Sequence, residues 1–238
     1  MSGFPILLEE HPQLNEERII INVPLKFRRG HLRDDPVKSI HSAVVNLNRI
    51  AVLTGYSDWS NLHVLDYGCG VKFSQALLQY CVKVGSYTGL DVYTKMIEFL
   101  QGAILKDNFH YYSVPFRNEM YNRNGQNLTE HSSLPGLIRS FDLITLQSVF
   151  THFCPSDFLS LLHVLRRYSS DKCRLFFTCF INDQMEEDFF DSDPQKPLLI
   201  AQYKESFIRT MLRQSNWDVI SVNPPGHQMV HQFVCSPS

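Results

Sequence analysis

The chain has no excess of positive charge: 22 lysines and arginines face 24 acids, a formal net charge of −2. Phosphate binding wants a basic excess or patch, so nucleic acid is disfavoured as a partner. The one local cluster, Lys26-Phe27-Arg28-Arg29 with Arg33, is short and reads as a solvated face. No apolar run reaches the roughly 18 residues that a membrane span needs. The start, MSGFPILLEEHPQLNEE, carries acids early and no basic segment, which argues against a secretory signal. The six cysteines (Cys69, Cys81, Cys154, Cys173, Cys179, Cys235) form no C-x-x-C pair and have mostly apolar neighbours. They read as buried free thiols of a reducing compartment, and Asn127-Leu128-Thr129 is then a chance match to a glycosylation acceptor. There is no G-x-S-x-G elbow and no P-loop, so hydrolase and nucleoside triphosphatase readings have no support. Internal repeats and low-complexity tracts are also absent. With 44% hydrophobic and 19% charged residues the composition is globular, and the expectation is a cytoplasmic, soluble enzyme.

What is present is an alternation of helical and strand patterns over most of the 238 residues. Residues 1–36, with Pro5, Pro12, Pro24 and Pro36, are irregular and read as an N-terminal arm or lid; residues 37–238 form the domain. Apolar positions at three- and four-residue spacing predict helices from Val37 to about Leu53, with Gly55 as the stop, and over about Thr94–Leu105, Pro155–Tyr168 and Gln202–Gln214. Short apolar runs predict strands at His63–Tyr67, up to Asp91, Phe109–Val114, Phe141–Leu146, Arg174–Phe180, Trp217–Val222 and about Met229–Cys235. The stretch from Asp183 to Asp193 is acidic and reads as irregular. Such alternation implies a parallel sheet with helices on both faces. The two final strands, joined by a short link containing Pro224-Pro225-Gly226, pair as a hairpin and put an antiparallel strand into it. The polar segment 115–137 is long for a connection inside a domain, and loops of that length are usually functional or mobile.

The organising stretch runs from Val64 to Asp91, VLDYGCGVKFSQALLQYCVKVGSYTGLD. The apolar run Val64-Leu65 stops at Asp66, Gly68-Cys69-Gly70 turns the chain, a helical pattern follows, and a second strand ends at Asp91. Glycines allow close backbone approach to a ligand, and an acid about twenty residues further on is placed to hydrogen-bond a ribose. A dinucleotide fingerprint would need a third glycine where Phe73 stands. A nucleoside-type cofactor site is the reading that remains, beside a glycine turn with no cofactor at all.

Asp66-Tyr67-Gly68-Cys69-Gly70, Gly89-Leu90-Asp91 and Phe141-Asp142-Leu143-Ile144-Thr145-Leu146-Gln147-Ser148-Val149-Phe150-Thr151-His152 together resemble class I S-adenosylmethionine-dependent methyltransferases. The resemblance covers roughly residues 60–235. SVFTHF and MYNRNG resemble bacterial members that methylate sugars or natural products. The resemblance implies a Rossmann-like, seven-stranded, mostly parallel sheet with helices on both faces and a reversed last strand. It implies S-adenosyl-L-methionine as cofactor. Gly68 and Gly70 would let the backbone approach its methionine and ribose parts, and Tyr67, Lys72 and Phe73 belong to the same loop. Asp66 would anchor the turn or the methionine amino group, Asp91 would accept both ribose hydroxyls, and Val92 and Met96 would flank the adenine. Gln147 and Ser148 would border the methyl-transfer face. Two positions depart from the family pattern. Lys72 stands where a third glycine is usual, and the strand ending near Val114 lacks the acid that often receives the adenine amino group, for which Ser113 or Asn118 could substitute.

Several residues keep two readings. Asp66 could cap the following helix rather than serve a cofactor. His152 could take a proton from a substrate hydroxyl, or pack under the loop after the fourth strand. His227 and His231 lack the glutamate of a zinc-protease pattern, and no metal is expected. Tyr67, Phe73, Tyr93, Phe116, Tyr121 and Phe150 could line a pocket or fill the core, with Tyr93 and Tyr121 favoured as contacts because they lie in polar stretches. The expected function is methyl transfer to a small-molecule acceptor, preferably oxygen, in a pocket made by the arm and loop 115–137. The alternatives are a catalytically silent cofactor-binding or scaffold protein, suggested by Lys72, and a protein or RNA methyltransferase. The sequence does not set an oligomeric state.

Overall fold

A computed structural model describes residues 18–225 and 229–238. Helix α1 (Pro36–Thr54) starts where Asp35 accepts the Lys38 amide through Oδ1 at 3.0 Å, with proline at the first helical position, and stops at Gly55 in the left-handed conformation. Both ends are the ones the residue types dictate. Strand β1 (His63–Tyr67), helix α2 (Lys72–Gln79), strand β2 (Ser86–Asp91), helix α3 (Thr94–Ala103) and strand β3 (Phe109–Ser113) make two βαβ steps outward from the centre of the sheet. Strand β4 (Phe141–Leu146), helix α4 (Pro155–Arg166) and strand β5 (Ser169–Ile181) continue on the other side of β1. After helix α5 (Glu205–Gln214), strands β8 (Trp217–Asn223) and β9 (His231–Pro237) form the expected hairpin, and β9 runs antiparallel to both β5 and β8. The main sheet therefore has the order β3-β2-β1-β4-β5-β9-β8, mostly parallel with the last strand reversed, as the resemblance implied.

Two further short strands complete the nine of the sheet, β6 (Phe189–Asp191) and β7 (Ala201–Tyr203), an antiparallel pair whose second strand lies parallel to the end of β5. They correct the sequence reading twice. Part of Asp183–Asp193 is strand, and Gln202 and Tyr203 belong to β7 rather than to α5. Tyr203 is fully buried, and an aromatic in so short a run gives no period by which to tell strand from helix. Segment 115–137 is also more structured than its polarity suggests. Bridges Phe116↔Gln126 and Asn118↔Asn122 fold it back on itself, and Phe116 and Leu134 are buried.

The alternation of side chains along each strand divides the core into two layers. Leu65, Ile144, Phe177 and Phe233 face α4 and α5, while Val64, Leu143, Phe176 and Val234 face α1, α2 and α3. The arm belongs to the second layer, because Ile21, Val23 and Phe27 are buried in it. Among the described residues no helix is long and apolar enough to cross a membrane.

Candidate functional site

The sheet changes direction between β1 and β4: from β1 the chain adds β2 and β3 on one side, and β4 and β5 on the other. Ligands of open α/β sheets bind in the crevice at the carboxyl ends of the strands at such a point. Here a cavity of about 1390 Å³ opens, and it is lined by Asp66, Tyr67, Gly68, Gly70, Lys72, Phe73, Asp91, Val92, Gln147, Ser148 and His152. The fold thus gathers these residues from three strand ends, although they are dispersed in sequence. Met96 is the exception. It is fully buried in the layer under α3 and does not line the cavity, so the expected adenine contact is replaced by a core role.

Asp66 is buried, with Oδ2 accepting the Tyr87 hydroxyl at 2.6 Å and Oδ1 accepting the Thr145 hydroxyl at 2.9 Å. Its carboxylate ties β1 to β2 and β4. It does not cap α2, whose N-cap is Val71 without a side-chain bond. Burial pushes its pKa up to about 7, against the lowering effect of those two hydrogen bonds. Gly68 has φ +72, and a Cβ there would lie 2.5 Å from Val149 Cγ2. Its glycine is required by the turn and by the β4 loop packed on it. Gly70, φ +51, would have nothing within 4 Å of a Cβ and borders open cavity. The turn is pinned by the Gly68 and Cys69 amides donating to the Leu90 carbonyl at 2.7 and 3.0 Å.

Asp91, at the end of β2, is buried apart from its cavity face; it accepts the Gly70 amide at Oδ2 (3.2 Å) and the Tyr93 amide at Oδ1 (2.9 Å). Lys72 occupies the first position of α2 in helical backbone, a conformation that does not need glycine. Its ammonium lies near Gly30 of the arm, where a Cβ would stand 3.8 Å away in ordinary contact, and burial lowers the Lys72 pKa. Ser148 holds φ +58, uncommon for a residue with a side chain, while its amide donates to Thr178 Oγ1 at 2.8 Å. His152 lies 2.7 Å through Nδ1 from the Leu199 carbonyl. A carbonyl only accepts, so Nδ1 carries the hydrogen and, in the neutral ring, Nε2 keeps its lone pair. Thr151 beside it is buried, lines the cavity, and its Oγ1 has no hydrogen-bond partner among the described residues.

Of the two proposed stand-ins for the adenine acid, Ser113 bonds Thr94 Oγ1 at 2.7 Å and does not line the cavity. Asn118 does line it, but its Oδ1 accepts the Met120 and Tyr121 amides at 3.1 Å each. Among the aromatics, Tyr67, Phe73, Phe116 and Tyr121 line the cavity, Tyr93 backs Tyr121 as a stacked ring at 5.3 Å, and Phe150 is wholly core. His227 lies outside the described residues. Sequence reasoning missed Arg29, read as part of a solvated face. The arm carries it to the cavity, with its guanidinium 3.7 Å from the centre of the Tyr121 ring. Ser42, Asn46 and Arg49 of α1 were missed too, since helical periodicity marks which positions face a core and not which face a cavity.

No protein-family model matches the chain. Solved structures do. Magnesium protoporphyrin IX methyltransferase from Synechocystis PCC 6803, with bound SAH, superposes at TM-score 0.55 and 14% identity over 89% of this chain and 89% of that one. The glycopeptide N-methyltransferase MtfA gives 0.56 at 11% identity, covering 88% of this chain and 99% of that one. The mitomycin 7-O-methyltransferase MmcR gives 0.53 at 16% identity, covering 86% of this chain and 59% of that one. Likeness at such identities is likeness of fold, and it agrees with the strand order and the reversed strand: this chain has the Rossmann-like fold of S-adenosylmethionine-dependent methyltransferases.

Proposed function

We propose that the protein is an S-adenosylmethionine-dependent methyltransferase acting on a small-molecule acceptor, with oxygen as the methylated atom. The observation that carries the reading is Asp91 at the strand-end cavity. Its oxygens use one acceptor site each on the Gly70 and Tyr93 amides, and a carboxylate has about four such sites. Capacity for a vicinal diol is therefore left on the cavity side, next to the open space at Gly70. The bound cofactor would supply an electrophilic methyl group on a sulfonium. Asp91, Gly70 and Val92 would hold its nucleoside part, and Gln147 and Ser148 would border the reacting end. The chain's remaining task is to align the acceptor and exclude water. His152, held by Leu199 in the tautomer with Nε2 free to accept, suits removal of a hydroxyl proton, which favours oxygen.

Residues from 18–35 and from loop 115–137 line the walls of the cavity with those of α1, which supports a small acceptor over a macromolecular one; the net charge of −2 likewise gives nucleic acid no general attraction. The arm acts in this reading as a lid on a single domain. All six cysteines are free, in keeping with a reducing, cytoplasmic setting. Lys72 stands in helical backbone, where glycine is not needed, which supports the enzyme reading over the silent-scaffold alternative. Titration calorimetry with S-adenosylmethionine tests the proposal. Binding is expected, and Asp91→Ala should weaken it at least about tenfold, the loss of hydrogen bonds to a charged group. A folded wild-type sample that evolves no binding heat refutes the reading.

A further inference from the structure

Arg29 reaches the cavity from the arm, and its surroundings differ from those of a surface arginine. Its guanidinium stands 3.7 Å from the Tyr121 ring centre and 5.4 Å from that of Tyr93. Phe27, buried against Phe99 at 5.3 Å, anchors the backbone two residues before it. Stacked in this way the planar group has little freedom. Nη2 lies 3.8 Å from Asp91 Oδ1. A charge-assisted hydrogen bond measures roughly 2.7–2.9 Å, so the pair attract without bonding. Nη2 is nonetheless buried, and it has no hydrogen-bond partner among the described residues.

The two groups are complementary in what they lack. Arg29 offers a buried donor with no acceptor among the described residues. Asp91 offers acceptor capacity beyond the Gly70 and Tyr93 amides. Arg29, Gly70, Asp91 and Tyr121 all border one cavity. A free anion there would be repelled by Asp91, and a free cation by Arg29. A hydroxyl satisfies both, because it donates to the carboxylate while accepting from the guanidinium. An oxygen about 2.8 Å from each atom closes a triangle over the 3.8 Å gap, within normal hydrogen-bond lengths.

We propose that Arg29 binds the ribose diol of the cofactor, as the donor half of a clamp whose acceptor half is Asp91. The inference rests on the methyl-donor reading above and extends it, since it brings the arm into the cofactor site. It also assigns the selectivity for ribose over a sugar lacking hydroxyls to two residues rather than one. Residues 27–30 of the arm would then lie over the cofactor, because the diol supplies an acceptor that the guanidinium lacks among the described residues.

The test is calorimetric binding of S-adenosylhomocysteine and its 2′,3′-dideoxy analogue to the full chain. The proteins are wild type, Arg29→Ala and Arg29→Lys, each checked for the wild-type circular dichroism spectrum. Arg29→Ala should weaken S-adenosylhomocysteine about tenfold or more. Arg29→Lys keeps the charge without the fork and should fall between. Removing the hydroxyls from the ligand should cost wild type a several-fold larger factor than it costs Arg29→Ala, since that variant has already lost one partner of the diol. An equal factor in both proteins overturns the clamp and leaves Arg29 a packing residue. Tighter binding by Arg29→Ala overturns it in the opposite sense, making the arginine a plug over Asp91. The ligand-side comparison in wild type needs no variant to fold, and a dideoxy analogue that binds wild type as tightly as the parent also overturns it. A folded wild type that binds neither ligand removes the methyl-donor reading itself, a result distinct from all of these.

Discussion

Gly68 shows two constraints meeting at one residue. Its φ of +72 lies in the left-handed region, and its missing Cβ makes way for Val149 of the β4 loop, whose Cγ2 would stand 2.5 Å away. The backbone penalty for a side chain at positive φ is roughly 1–2 kcal/mol, and the clash adds to it. Gly68→Ala is expected to lower unfolding free energy by more than about 2 kcal/mol, measured by urea denaturation. Adding Val149→Ala should relieve only the steric share, so the double variant should lose less than the sum of the single ones. Strict additivity would show that the close approach is not made. The sequence displays Gly68, Gly70 and Asp91 as a set because their spacing is local. Arg29 is invisible at this level: its neighbours Tyr121 and Asp91 come from distant parts of the chain, and a basic run has the same composition whether it faces solvent or a carboxylate.

At the level of elements, the described part of the arm, residues 18–35, is fastened by a few side chains rather than by a long helix or strand of its own. Among the described residues of the arm only Leu25–Phe27 form a turn of 3-10 helix, and Phe27 packs on Phe99 and on Tyr93, 5.6 Å between ring centres in the latter pair. Burial of one such ring is worth roughly 3–5 kcal/mol by truncation, which is enough to decide whether a short segment stays docked. Phe27→Ala should therefore release the arm. Tryptic cleavage after Arg28, Arg29 or Arg33 should accelerate, while far-ultraviolet circular dichroism keeps the sheet and helix signal. Cleavage at the wild-type rate would mean that other contacts hold the arm. The long helices and the strands next to the glycine turn were legible from periodicity and caps. The β6–β7 pair was not: three-residue strands offer too few positions for a period, and their existence depends on the end of β5 being there to pair with.

Across the whole molecule the most informative group is Asp66, whose oxygens join three strands of the sheet. Burial raises its pKa to about 7, so the folded protein holds a proton there that the unfolded chain releases above the ordinary carboxylate value near 4. Between these limits the unfolded state binds fewer protons, and the contribution of this residue to stability falls as pH rises from about 4 to about 7. It is fully present below that window and lost above it. Asp66→Asn cannot titrate. Relative to wild type its unfolding free energy should improve from about pH 5 to about pH 8, whatever the fixed cost of the substitution. An unchanged difference at the two values would show that the carboxyl is ionised throughout.

The sequence by itself determined the class of the fold and the place of the candidate site. Periodicity assigns faces to helices and strands, alternation of the two dictates a parallel sheet, and a glycine turn followed by a strand-end acid marks the crevice, all of which depend on residues close in the chain. Tertiary structure decided which side chains enter that crevice. It took Met96 into the core, set Ser113 away from the cavity, gave Asp66 to the sheet, and brought Arg29 and the first helix to the cavity wall. The reason is physical: a side chain's surroundings are made by segments packed against it from elsewhere, and local sequence carries the tendency to be buried but not the identity of what it is buried against.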